Sequence, residues 1–436
     1  MPIDWDTVPA PETVGQELHE LMRELFPIPR SLTGDGVRET LAVLAREVPL
    51  EVIETPTGTP VFDWTVPREW NVRAAWIDGP DGERVLDLAD SPLHVLGYSV
   101  PVDEIVRLVE LREHVFTHLE DPDLVPYRTS YWHEQWGFCM SRRSLDALPD
   151  GEYRVWFDST LEDGSLTSGE VTISGDGEDE FLLSTHVCHP ALANDNLSGV
   201  VLLWALARTL GPQRLRHTFR ILWGPGTLGP LCWLDRNRER LDRVAHGLVV
   251  SCVGDPGPLR YKRSRRGDAT VDRAAEYVLG REPDAIATDW QPSGGDERQY
   301  CSPGFDLPVG TLSRTPHGLF PQYHSSADDL DLVTAESLGS SFRAALELID
   351  VVESNARYRN LSPHGEPQLG RRGLYQTVPD GTNREAAYLW LLSLSDGSHD
   401  LLTIAERSGL PFETLRNAAA TLEQHGLLAR ESPQQT

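Results

Sequence analysis

The sequence predicts an α/β protein: a mainly parallel sheet covered by helices, interrupted by a β-rich insert and followed by a helix-turn-helix tail. Three textures lead there. From residue 181 to 355, short continuous apolar runs alternate with helical patterns, as in a sheet buried on both faces. Between 51 and 125 the runs are short, alternating and broken by Gly, Pro and Asp, which marks a β module. After 384 two short helical patterns flank the turn Ser408-Gly409-Leu410-Pro411.

The elements follow in order. Val14, Leu18, Leu21, Leu25 and Phe26 form a helical stripe; Val37, Leu41 and Leu44 begin another after Thr33-Gly34-Asp35-Gly36. The runs at Glu51, Val61, Asn71 and Glu83 are strands, and Trp64, Trp70 and Trp76 are expected in the core of their module. A helix is expected over Asp103–Leu119, then an aromatic segment from Pro126 to Phe138 and strands at Tyr153–Phe157 and Glu170–Ile173. Phe181–Ser184, Thr218–Trp223, Gly247–Val253 and Leu307–Leu312 are buried strands. Helices are expected from Leu197 to Leu210, from Leu231, from Asp268 and from Ala335 to Asn355. The helix from Leu197 is apolar on nearly every face, so it belongs in a large core. Arg357–Pro379, with several Gly and Pro, reads as a linker. The expected domains are a discontinuous core, 1–50 and 126–358, an insert at 51–125, and a linker with a winged helix at 359–436.

Composition narrows the function. At 436 residues the chain can bury a proper core, and 12 Trp, 11 Tyr and 11 Phe supply large apolar groups. A net charge of −28 spread along the chain disfavours nucleic acid and anionic membranes as partners. Residues 371–436 hold six Arg and no Lys against eight acids, so the tail reads as a packing or dimerisation module, compatible with a homo-oligomer, rather than a DNA reader. Five scattered cysteines, with no CxxC, make no disulfide framework. No basic-then-apolar leader and no membrane-length apolar run occur, so the expected location is cytoplasmic.

The chemistry gathers in Thr185-His186-Val187-Cys188-His189-Pro190 and Asn194-Asp195-Asn196-Leu197-Ser198-Gly199, between a buried strand and a buried helix. Strand carboxyl ends are where open α/β sheets collect ligands, and imidazole with carboxylate is a zinc ligand set. Further pieces at predicted strand ends or in loops after them are Trp223-Gly-Pro-Gly226-Thr227, Cys252-Val-Gly-Asp255 and Tyr323-His324-Ser-Ser. In this order the chain resembles the co-catalytic zinc aminopeptidases, whose superfamily includes glutaminyl cyclases. It resembles more closely a bacterial aminopeptidase-like family with an inserted β domain and a C-terminal winged helix. That closer likeness rests on Phe62-Asp-Trp-Thr-Val-Pro-Arg-Glu-Trp-Asn71, Cys188-His-Pro, Asp195-Asn-Leu-Ser-Gly, Gly295-Asp-Glu-Arg-Gln-Tyr300 and Tyr323-His-Ser-Ser.

The resemblance implies a three-layer zinc-peptidase-like core and a metal-dependent hydrolase, with zinc the expected cofactor, cutting an amide or peptide-like bond in a small amino-acid-derived substrate. It assigns one metal to His186, Asp195 and Asp255, a second to Asp195 and His324, and a cis peptide after Asp195. The second metal's Glu and the neighbouring general-base Glu have no match, because Gly226 stands where the family carries an acid. Three readings stay open: Asp296 or Glu297 replaces the acid, the site does other chemistry in a biosynthetic route, or it only binds. His189 is an alternative ligand or a supporting residue. Arg265, Tyr300 and Tyr323 are the expected substrate contacts, Arg265 from the one basic cluster, Arg260–Arg266.

Overall fold

A computed structural model describes residues 2–131, 133–375 and 383–431. Its largest sheet has eight strands: β1 (Glu51–Pro56), β2 (Ser165–Ile173), β3 (Glu180–His186), β4 (Thr218–Gly224), β5 (Val244–Val250), β6 (Arg260–Lys262), β7 (Ile286–Thr288) and β8 (Val309–Ser313). Their order is β1-β2-β4-β3-β5-β8-β6-β7. The centre, β4-β3-β5-β8, is parallel, and β1, β2 and β6 attach antiparallel. Every residue of β3 before His186 is buried, as a strand flanked on both edges and both faces must be.

Helices α1 (Pro11–Leu25), α2 (Asp35–Leu44), α3 (Ser198–Leu210), α4 (Leu228–Arg236), α5 (Thr270–Leu279) and α6 (Ala335–Ser354) complete the α/β layers. The all-apolar pattern of α3 has its cause in the fold: it packs on β3 and against α1, and Ser198–Ala207 are all buried.

Strand pairing differs from the boundaries read in the sequence. Glu51–Pro56 is an edge of the large sheet, whereas Glu152–Glu162 lies inside a separate four-stranded sheet ordered Arg84–Asp87, Glu69–Asp78, Glu152–Glu162, Val102–Arg107. We infer that the insert runs from 57 to 164, between β1 and β2. The helix expected over Asp103–Leu119 is instead the edge strand Val102–Arg107, with α-helix only at Leu108–Leu111. Six backbone pairings with Glu152–Phe157 override the helical spacing there. Trp70 is buried, and Trp76 stacks on Trp156 with ring centres 6.0 Å apart, while Trp64 is exposed.

The described residues of 347–431, with Pro2 and Ile3, form a second compact unit. Helices α7 (Arg384–Leu394), α8 (Leu401–Ser408) and α9 (Phe412–Gln424) carry a three-stranded sheet whose middle strand is Arg357–Asn360. The linker expected over 357–379 thus begins as a winged-helix strand; its last part, 376–379, lies outside the described residues. On α9, Arg416 bonds Asp350 at 2.9 Å, so its guanidinium is already committed within the unit. Among the described residues, no helix is long and apolar enough to cross a membrane.

Candidate metal centre

The carboxyl end of β3 delivers His186 beside the loop Ala193–Leu197 that opens α3. The Asp195–Asn196 peptide in that loop is cis. Asp195 is 2% exposed, with one carboxylate oxygen facing each of two imidazoles: Oδ1 lies 2.9 Å from His186 Nε2 and Oδ2 lies 3.0 Å from His324 Nε2. His189 joins them, because ligand atoms of His186, His189 and Asp195 all lie within 4.8 Å of one another. Tyr127, from the aromatic segment after the insert's first strands, walls this group with ring centres 5.0 Å from both His189 and His324.

The His324–Asp195 contact tests whether the group suits an ion. His324 Nε2 and Asp195 Oδ2 are buried and lie 3.0 Å apart, within ion-pair range but out of line for a hydrogen bond, and neither has another hydrogen-bond partner. Buried polar atoms left without a hydrogen bond are costly unless something else satisfies them. Ligand atoms sharing a zinc at ~2.0 to 2.2 Å are themselves roughly 3 to 3.5 Å apart, so the spacing fits a shared cation. The donor set of imidazole and carboxylate fits zinc as well.

Charge follows the same geometry. Burial would raise the pKa of Asp195, but His189, His186 and His324 outweigh it and hold the carboxyl well below its usual range. Burial works against protonated His186, yet Asp195 reverses the sign and raises it. His189 lacks such a contact, so burial drives it down to about 3 and keeps it neutral, the form in which imidazole binds metals. Burial pushes the Cys188 thiol up to about 12, which makes it an inert packing group.

Other expected residues divide. Asp255 is not part of the cluster. Its Oδ1 accepts from Gly257 N and Thr315 Oγ1, at 2.8 and 2.7 Å, and its Oδ2 from Asn194 Nδ2 and Thr315 N, both at 3.0 Å. The loop after β5 turns at Cys252, with φ +53°, and so presents the Cys252 thiol to the site instead: Sγ lies 3.9 Å from Asp195 Oδ1. Tyr300 is fully buried and its hydroxyl meets Ser184 Oγ at 2.9 Å, so it braces β3 rather than facing a substrate. Tyr323 is half-buried and stacks on the His324 ring at 3.8 Å. Arg265 is half-exposed and pairs with Asp306 at 2.7 Å.

The two acids of the 292–297 loop also part company. Glu297 is wholly buried and its Oε1 pairs with Lys262, which balances its charge, while its Oε2 makes no hydrogen bond. Asp296 instead comes to the gap left by Gly226: its Oδ1 accepts from Thr227 N at 2.8 Å, and its buried Oδ2 has no partner. Burial raises its pKa, and the charge of nearby His186 pulls the other way.

One contributor escaped the sequence reading. Asp328 accepts from Asn194 N at 2.6 Å and from Asp195 N at 3.0 Å, clamping the loop that carries the central carboxylate. Its signal lay in the string after His324, where Ala327-Asp328-Asp329 continues the matched motif.

Known proteins share this architecture. A family model described as a domain of unknown function, DUF4910, matches residues 19–355, and a winged helix-turn-helix model matches 356–430. A Clostridium acetobutylicum protein, provisionally named for polysaccharide biosynthesis with an aminopeptidase-like domain, is 45% identical over 95% of this chain and 96% of its own. A crystal structure from C. acetobutylicum, provisionally described as a peptidase, superposes with a TM-score of 0.92 at 43% identity, covering 97% of both chains. The zinc aminopeptidase of Bacillus subtilis shares the core fold, with a TM-score of 0.55 at 12% identity over 77% of this chain and 94% of that one. The protein therefore belongs to the DUF4910 family, an aminopeptidase-like α/β fold carrying a C-terminal winged helix.

Proposed function

We propose that this protein is a zinc-dependent hydrolase of an amide bond in a small amino-acid-derived substrate, with Asp296 in place of the family's missing acid. The observation that carries the reading is Asp195, whose two oxygens face His186 and His324 at 2.9 and 3.0 Å without satisfying the latter. His186, Asp195 and His324 would hold the ion, with His189 and the Cys252 thiol beside them. The chemistry zinc supplies when bound is polarisation of a carbonyl and a water made acidic near neutral pH.

The chain's own residues supply the rest. Asp296 is supported as general base by three features: it holds the Thr227 N–H next to Gly226, its Oδ2 makes no hydrogen bond, and burial raises its pKa above the ordinary carboxyl value. It would take the proton of the attacking water and return it to the departing amine. Tyr127 and Tyr131, whose hydroxyls lie 3.2 Å apart, wall the site against bulk water. Both phenols are raised by burial, Tyr131 to about 12, so they stay neutral donors. Since the C. acetobutylicum relative is named for polysaccharide biosynthesis, the amide is assigned to a biosynthetic precursor rather than to a nutrient peptide.

Metal analysis of the full chain purified without added zinc tests the reading. At least one equivalent of metal, removed by chelator and restored by zinc together with anilide hydrolysis, is expected. Metal far below stoichiometric that zinc does not restore would end it.

A further inference from the structure

Beside the missing acid lies a second feature that the amide chemistry does not use. A cleft of about 480 Å³ is lined by Trp64, Thr227, Arg265, Trp290, Arg298 and Gln299, together with a cysteine, a serine and two prolines. Thr227 belongs to both places, since its N–H holds Asp296 while the residue also lines the cleft. The cleft therefore starts one residue from Gly226.

Its charge runs against the rest of the molecule. The chain carries −28, yet the lining holds two arginines and no carboxylate. Of the surrounding acids, Glu297 is paired with Lys262, Asp289 with Arg263, and Asp306 with both Arg265 and Arg266, while Asp296 is buried and accepts from Thr227 N. Arg298 is exposed, and among the described residues no hydrogen bond or ion pair holds its guanidinium. A solvated arginine needs no explanation alone, but here it shares a concave wall with a second arginine and two tryptophans. Trp290 also buries its indole N–H without a hydrogen-bond partner, and Trp64 exposes part of its indole on this wall. Guanidinium forks suit phosphate oxygens, and indole faces suit a planar ring.

We propose that this cleft binds a diphosphate joined to a planar base, so that the substrate arrives as a nucleotide-linked precursor with its amide directed to Asp296. The identification of this ligand as substrate rests on the hydrolase reading above; the anion site itself does not. Arg298 and Arg265 take the phosphates, and Trp64 with Trp290 takes the ring.

Calorimetric titration of the full chain, zinc-loaded and chelator-treated, with uridine diphosphate, inorganic pyrophosphate and uridine tests it. Uridine diphosphate should bind tightest and uridine weakest, with the same order after zinc is removed. Arg298→Gln should weaken both phosphate probes about tenfold or more. Trp64→Ala should cost uridine diphosphate about tenfold while leaving pyrophosphate unchanged. Arg298→Lys, which keeps the charge, should recover part of the pyrophosphate binding and controls for folding. No binding by any probe, or equal affinity in Arg298→Gln, overturns the proposal. Binding that vanishes with zinc also overturns it, because the phosphate would then be a ligand of the metal cluster. Loss of metal with the titrations intact would instead remove the hydrolase reading and leave the cleft standing.

Discussion

Asp296→Asn is the sharpest perturbation of the catalytic reading. The amide keeps the Oδ1 acceptor that Thr227 N uses at 2.8 Å, so the loop stays in place, and it replaces the unpartnered Oδ2 with a group that cannot take a proton. A general base is worth about 10² to 10⁴ in rate, which is about 2.7 to 5.4 kcal/mol of barrier. Because burial already disfavours the charged form of Asp296, removing that charge should leave the melting temperature unchanged or raised. The assay is hydrolysis of amino-acid anilides by zinc-loaded protein, with metal content measured on the same samples. A loss of about a hundredfold with full metal occupancy is expected. Gly226→Glu added to the Asp296→Asn variant should then recover activity. A Cβ at 226 meets only Cys188 Sγ at 3.6 Å and His186 Cβ at 3.8 Å, ordinary contacts that let a side chain enter toward the imidazoles. Activity of Asp296→Asn within about threefold of wild type would refute the assignment of Asp296 as base.

Two further outcomes test the scaffold. Asp328→Asn turns one acceptor facing the Asn194 and Asp195 N–H groups into a donor, which should weaken zinc affinity about 10- to 100-fold in competition with a chromophoric chelator. Unchanged affinity would mean that the clamp does not orient Asp195. Glu69 holds Arg38 through two bonds, at 2.7 and 2.8 Å, and that contact depresses its pKa from 4.5 to about 2. A depressed carboxyl stabilises above its unfolded pKa and loses that contribution as pH falls toward its folded one. The stability gap between wild type and Glu69→Gln in urea melts should thus be about 1 to 2 kcal/mol at about pH 6, after allowance for solvent, and close progressively between pH 4.5 and 2. A gap that stays constant across that window would contradict the ion pair's contribution.

What the sequence could show depended on where each residue's environment is decided. β3 and α3 were legible because burial on all sides leaves a local trace, an unbroken apolar run. His186 and His324 were legible through position, a strand end and a loop beyond one. Asp255 was not, because its side-chain direction is set by a positive φ at Cys252 three residues earlier, and by Asn194 and Thr315 from other segments. Val102–Arg107 misled for a related reason. Its partner strand, Glu152–Glu162, lies far ahead in the chain, and no window over 103–119 contains it.

The same distinction explains the two acids at 296 and 297. Adjacent in sequence, they read alike, as an acidic pair in a glycine-rich turn. The short helix Glu297–Tyr300 begins between them and sends them apart: Glu297 inward to Lys262 on β6, and Asp296 toward Thr227 and the space beside Gly226. Glu297 is committed to an ammonium, whereas Asp296 is buried with no ion-pair partner and is raised in pKa, as suits a proton acceptor. Loss of an acid at 226 therefore does not by itself imply loss of catalysis. Under the proposed role of Asp296, a carboxylate arriving at 296, from the loop that precedes this short helix, would meet the same requirement from a different segment and leave the space at 226 open beside the arginine-lined cleft.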